Sequence, residues 1–209
     1  ALLKEPELAE RIVSKVANAI QILVTVKTRL SNCQEKEIDP VSFAKRLQIA
    51  GAKLITIHGR TSRQGFTGQS NWEAIAKIKN ALNIPVIANG DVCSADDAIK
   101  CLDITGADGV MIGRGSMGAP WLIGQIDCAL KGKQVFVTPS PKERVAIALE
   151  QLQELLAKKG EHGLFIARKH MQWTCKGFHG ATNLQHSLIR AQSSREAMAL
   201  LEKQLSLLS

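Results

Sequence analysis

The chain has 209 residues, 45% of them hydrophobic and 22% charged, with a net charge of +8. This is enough chain for a sizeable core in one domain or two, and the balance is globular rather than disordered or fibrous. It has no unbroken apolar run long enough for a bilayer, no secretory signal and no CxxC pair among Cys33, Cys93, Cys101, Cys128 and Cys175. A membrane protein, a disulfide scaffold and a zinc site are therefore not indicated, and a reduced cytoplasmic setting fits best.

Pro6 to Ile20 reads as a helix, with Leu8, Ile12, Val16 and Ile20 as an apolar stripe at spacing four. Ile22 to Val26 is nearly continuous and β-type, as a strand buried on both faces should be, and it ends in Lys27-Thr28-Arg29. A buried Lys27 ammonium needs an anionic or carbonyl partner, while a lysine at the rim needs only a snorkelling stem. Asp39-Pro40 opens a helix to Ala50, stopped by Gly51. The next strand, Leu54 to Ile57, runs into His58-Gly59-Arg60-Thr61. A lone histidine is more often structural, but one at the end of a parallel strand stands where α/β folds keep their ligands.

Arg63 to Gln69 is a glycine-bearing loop, and Ser70 with Glu73 forms a capping-box pattern ahead of a helix carrying Ile75, Ile78 and Leu82. A third strand, Val86 to Ala88, ends in Asn89-Gly90-Asp91; Ser94 caps a helix that ends at Gly106; a fourth, Val110 to Ile112, ends in Gly113-Arg114. Each of these two ends is ordinary turn chemistry when taken alone. Repeated in successive βα units, Asn89, Gly90, Asp91, Gly113 and Arg114 suit a phosphate grip, because glycine lets the backbone approach an anion. The echo between Gly51–Ile57 and Gly106–Ile112, Gly-Ala-x-x-[Ile/Val]-x-Ile, reads as a repeated strand-loop-helix unit of a (β/α) barrel.

Pro120-Trp121 begins a short helix to Leu130, and Lys131 to Pro141 reads as a linker. Beyond it the β-signal stops. Glu143 to Lys159, Leu164 to Lys176, a segment centred on Leu184 to Arg190, and a segment capped by Ser193 and Glu196 read as four helices. The expected organisation is α/β: four βα units, the second half of a TIM-type barrel, over 1–138, and a small all-helical domain over 139–209. Residues 139–209 hold 10 Lys and Arg against 6 Asp and Glu, while the longer 1–138 holds 17 against 13. The tail is thus the more basic per residue. Arg168, Lys169, His170 and Lys176 stand around Trp173, either as a nucleic-acid surface or as a solvated face with the tryptophan in the core.

Val26-Lys27-Thr28-Arg29, Thr56 to Thr61, Pro85 to Asp91, Gly106 to Arg114, Gly118-x-Pro120-Trp121 and Arg168-Lys169-His170 together resemble the flavin-dependent tRNA-dihydrouridine synthase family, over nearly the whole chain. The resemblance implies an FMN-holding barrel followed by a helical domain that grips tRNA. In the family NADPH reduces FMN, the reduced flavin passes hydride to C6 of uracil, and a cysteine protonates C5 of a nucleotide flipped out of its stack. By resemblance Lys27 and His58 lie beside the flavin, and Asn89, Gly90, Asp91, Gly113 and Arg114 form its phosphate loops. Arg29 and Arg60 face flavin or RNA, and Arg168, Lys169 and Lys176 face RNA. The family cysteine stands in a Gly-Cys-Pro segment that none of the five cysteines matches, Cys33 included. No catalytic residue is therefore assigned, and no metal ligand. The expectation is a fragment, inactive alone, whose open sheet edges around Val24, Val26, Ile55 and Ile57 favour self-association, whereas the full-length protein is a monomer. The competing expectations are a non-catalytic tRNA-binding remnant and another FMN- or phosphate-binding barrel oxidoreductase.

Overall fold

A computed structural model describes residues 2–31 and 39–208. Cys33 lies outside the described residues. The chain divides into two compact units: Ala1–Gly115 with Ala129–Gly132, and Ser116–Cys128 with Lys133–Ser209.

The first unit is α/β. After a short 3-10 turn at Leu2–Lys4 come α1 (Pro6–Ala19), β1 (Thr25–Arg29), α2 (Pro40–Ile49), β2 (Leu54–His58), α3 (Trp72–Ala81), β3 (Val86–Asn89), α4 (Ala95–Thr105) and β4 (Gly109–Met111). The strands form one parallel sheet in the order β1-β2-β3-β4. Sequential parallel strands joined by helices are the arrangement of neighbouring units in a (β/α) barrel. β1 and β4 are the edges of this sheet.

The register makes the sheet two-faced. Ile55 pairs with Val86 and Ile57 with Ala88. All four are 0% exposed and share the interior with Phe43, Leu47, Ile75 and Ile78 of the helices. The opposite face carries Lys27 beside Thr56, and a row made of Arg29, His58, Asn89 and Met111. Side chains alternate along a strand, so one face is apolar and the other polar. This corrects the expectation of strands apolar on both faces, and with it the expectation that Ile55 and Ile57 lie open at an edge.

Three local expectations also change. β1 begins three residues late: Ile22 and Leu23 are 76% and 75% exposed, and pairing starts at Thr25 opposite Leu54. Lys27 and Arg29 therefore lie inside the strand rather than after it. In α1 the buried residues are Ala9 and Val13, whereas Ile12, Val16 and Ile20 are each 41% exposed. A stripe at spacing four drifts round a helix of 3.6 residues per turn, so it does not stay on one packing face. The cap of α3 is Asn71, whose side chain accepts from the Ala74 N–H; the Ser70 backbone is engaged by Asp91 instead. Asp39 and Ser94 do cap α2 and α4, and Gly106 follows the end of α4.

The second unit, with part of α5 (Trp121–Leu130), holds α6 (Pro141–Lys159), α7 (His162–Thr174), α8 (Ala181–Arg190) and α9 (Ser194–Leu207). A complete capping box, Ser140 with Glu143, starts α6 one turn before the apolar pattern becomes visible. Ser193 caps α9, while Glu196 reaches back to the Gln192 N–H. Val145, Leu152, Leu164, Met171, Leu188 and Leu201 make a continuous core, each at most 1% exposed. Gly163 is where α6 and α7 touch: a Cβ there would meet the Leu155 carbonyl at 2.6 Å.

Candidate functional site

The row Arg29, His58, Asn89 and Met111 lies at the carboxyl ends of the strands, and the loops that follow close round it. Together they line a cleft of about 570 Å³ that also includes Lys27, Arg60, Phe66, Gly90, Asp91, Gly113 and Arg114. Every residue expected at a flavin site therefore lines one cavity. The Lys27 ammonium reaches from β1 over β2 and donates to Asn89 Oδ1 of β3 at 3.0 Å. Asn89 in turn donates from Nδ2 to the Met111 carbonyl at 2.8 Å, which fixes the amide so that its oxygen faces the lysine. This carbonyl-type partner answers the question left open for Lys27.

The arginines raise the cost of charging His58 and Lys27. Burial, and then the Arg29, Lys27 and Arg60 charges, push the His58 pKa down to about 4. His58 is thus a neutral imidazole at pH 7, able to donate from one nitrogen and accept at the other. Partial burial of the Lys27 ammonium, and then Arg29, lower its pKa, although the residue as a whole stays in contact with solvent.

The arginines divide into two kinds. Arg60 is 3% exposed and spent on the protein: Nε donates to the Thr67 carbonyl, and Nη2 to the Gly68 carbonyl and to Asp91 at 2.7 Å. Its Nη1 is enclosed without a partner. Arg29 donates to the Thr61 and Gly65 carbonyls at 2.9 and 3.0 Å, so it braces the loop after β2. Arg114 is exposed, and its guanidinium lies 4.6 Å over the Phe66 ring, with Arg29 at 5.9 Å from the same ring. The sequence reading did not single out Phe66. Its signal was there: a lone aromatic between Gly65 and Gly68 in a polar loop has no packing reason to be aromatic.

Asp91 is engaged by the protein as well. Both its oxygens accept from Arg60, and Oδ2 also accepts from the Ser70 N–H. Burial works against its charge, but the Ser70 amide and Arg60 outweigh it and hold the carboxyl below its usual range.

In the helical unit the expected basic residues are not equivalent. Lys169 and Lys176 are exposed, whereas Arg168 donates to the Ala191 carbonyl and stacks 4.8 Å over Phe165. Trp173 is half-buried, with His170 edge-on at 5.5 Å. The Gly118 of the Gly-x-Pro-Trp motif lies against α7: a Cβ would fall 2.3 Å from the Trp173 carbonyl oxygen. Among the described residues no group of His, Cys, Asp and Glu could hold a metal ion, and no helix is long and apolar enough to cross a membrane.

The sequence model of the family described as "Dihydrouridine synthase (Dus)" matches residues 1–208. The chain belongs to this family. It is 48% identical over 206 residues to "Probable tRNA-dihydrouridine synthase 1" of Synechocystis sp., with 99% of this chain and 58% of that protein covered. It is 39% identical to "Probable tRNA-dihydrouridine synthase" of Rhodobacter capsulatus, covering 99% of this chain and 63% of the relative. With "tRNA-dihydrouridine synthase B" of Pasteurella multocida it shares 38% identity over 85% of this chain and 53% of the relative. The chain thus spans about six-tenths of the length of the first two. A solved mandelate oxidase matches at 17% identity and a TM-score of 0.40, covering 94% of this chain and 66% of that one, too distant to bear on the fold.

Proposed function

We propose that the protein is a tRNA-dihydrouridine synthase, an oxidoreductase that converts uridine in tRNA to 5,6-dihydrouridine with FMN as cofactor and NADPH as reductant. The observation that carries the reading is the cleft at the strand ends. It gathers Lys27, Arg29, His58 and Arg114, and Asp91, the one carboxylate among its described lining residues, is neutralised by Arg60. Donors without a competing anion fit an anionic, planar cofactor.

FMN, when bound, supplies the hydride chemistry, and the chain's own residues supply the surroundings. The Arg114 guanidinium and the backbone of Gly90 and Gly113 bind the phosphate, at the place where barrels commonly hold one. A Cβ at Gly113 would project into open space, so the backbone there is approachable. Lys27, oriented by Asn89, presents positive charge where negative charge gathers on a reduced ring. His58, neutral at pH 7, offers a hydrogen bond and holds no extra cation there. Arg29 fixes the loop carrying Phe66 at the mouth of the cleft. On the helical unit Lys169 and Lys176 meet tRNA phosphates, with Arg168 contributing behind them.

None of the cysteines in the sequence, Cys93 at the cleft included, stands in the Gly-Cys-Pro context that the family resemblance assigns to the proton donor. A positioned acid is worth about two to four orders of magnitude in rate. Residues 1–209 alone are therefore expected to bind weakly and not turn over. The test is to supply the full-length protein and residues 1–209 with FMN, NADPH and unmodified tRNA and to measure dihydrouridine by mass spectrometry. No product from the full-length protein would refute the reading. Equal turnover from both would refute the need for the cysteine segment.

A further inference from the structure

The turn that ends β3 is bolted down from behind. Asp91 has φ +60 and is the non-glycine residue in the left-handed region among those described. An L-residue takes that conformation only when its surroundings hold it there. Both its oxygens are engaged by Arg60, itself 3% exposed, and Oδ2 also receives the Ser70 N–H at 2.7 Å. Arg60 holds the Thr67 and Gly68 carbonyls as well. One ion pair therefore ties three pieces of chain: the end of β2, the loop 67–70 and the β3 turn.

That tie bears on the two residues nearest the chemistry. Gly90, at φ +120, is wedged: a Cβ there would fall 2.5 Å from Ser70 Oγ and 3.0 Å from His58 Cδ2. The Trp72 indole donates to the Gly90 carbonyl at 3.1 Å. Asn89, one residue earlier, carries the acceptor of Lys27. Moving the turn would move the wall against His58 and the oxygen that aims Lys27.

We propose that Arg60 and Asp91 form a positioning lock: the pair fixes the β3 turn and through it the placement of Lys27 and His58, and neither residue contacts the ligand. The inference rests on the anion-binding reading of the cleft only for what the lock serves. A carboxylate beside a bound phosphate would repel it, and this one is already neutralised and satisfied. The pair also leaves the cleft's field to Lys27, Arg29 and Arg114.

The test uses R60A, D91A and the double variant in the full-length protein, with three readouts. These are hydrogen exchange of residues 67–71 and 86–92, the His58 titration by NMR, and FMN affinity. Both single variants should speed exchange in both segments and weaken FMN binding by at least about tenfold. The double variant should match D91A in exchange and in FMN affinity, since the pair acts as a unit, while R60A, which leaves the Asp91 carboxylate uncompensated, should bind FMN no better than either. The histidine separates the lock from simple charge. By charge alone R60A raises the His58 pKa and D91A lowers it; with the lock broken, His58 is released from its enclosure and both raise it. Should the alanine variants not fold, D91N replaces them, because asparagine tolerates the left-handed conformation while it removes the charge and one of the two acceptor oxygens. Opposite His58 shifts, unaltered exchange with weaker FMN binding, or additive losses would each overturn the lock. A wild type that binds no FMN would refute the cofactor reading, and exchange and titration would still decide the lock.

Discussion

The two units use the same basic residue types in different ways. In the sheet unit Lys27, Arg29 and Arg60 each donate to an oxygen of the protein. In the helical unit Lys169 and Lys176 stand exposed on and just beyond α7. The cores differ too. The helical unit encloses Leu152, Met171 and Leu201 completely, while the sheet unit buries one face and turns the other, half-open, to its cleft. A small preorganised ligand needs cations held in place, because fixed donors cost no ordering on binding. A long polyanion needs only charges on a firm surface, since each phosphate contact releases counterions wherever it forms.

The largest effect that tests the contrast lies in the closed core. Leu152→Ala should cost about 2–5 kcal/mol of stability, as buried leucine truncations do, measured by denaturant unfolding. A loss near zero would mean that the helical core is not closed as described. Next is Arg114→Ala, which should weaken FMN retention by about 2 kcal/mol, the scale of a charged hydrogen bond. Unchanged affinity would remove Arg114 from the site. Neutralising Lys169 and Lys176 together should reduce the slope of log affinity for tRNA against log salt by roughly 1–2, with little loss of stability. Arg168→Ala differs from them because it also removes the bond to the Ala191 carbonyl, so it should lower stability as well. An unaltered salt slope in the lysine pair would mean that this face lies off the RNA path.

A separate test is the pH dependence carried by His58. Its folded pKa of about 4 lies below the ordinary histidine value, so protonation favours the unfolded chain. The stabilisation is complete above about pH 6.5, falls as pH drops, and is lost by about pH 4. His58→Asn should flatten that part of the stability curve, and NMR titration of the wild type should show the low midpoint. A midpoint near the ordinary value would mean that the cleft does not enclose the imidazole.

Much of this was legible in the sequence because its cause is local. Asp39-Pro40 and Ser94 mark helix starts through hydrogen bonds made within one turn, and Leu54 to Ile57 marks a strand through its side-chain types. The candidate cleft residues were legible for the same reason: each lies in the carboxyl-terminal part of a strand or in the loop just after it, and parallel strands bring such positions to one edge. What each of them does there was decided only by tertiary structure. Arg60 and Arg114 are the same residue type after similar strands, yet one is buried against Asp91 and the other lies over Phe66. Ser70 looked like a cap and instead serves Asp91, 21 residues away. The sheet's polar and apolar faces depend on register between strands, as does the place where β1 begins. Hydrogen bonds and charge neutralisation between distant segments have no period along the chain, so only the folded arrangement could assign them.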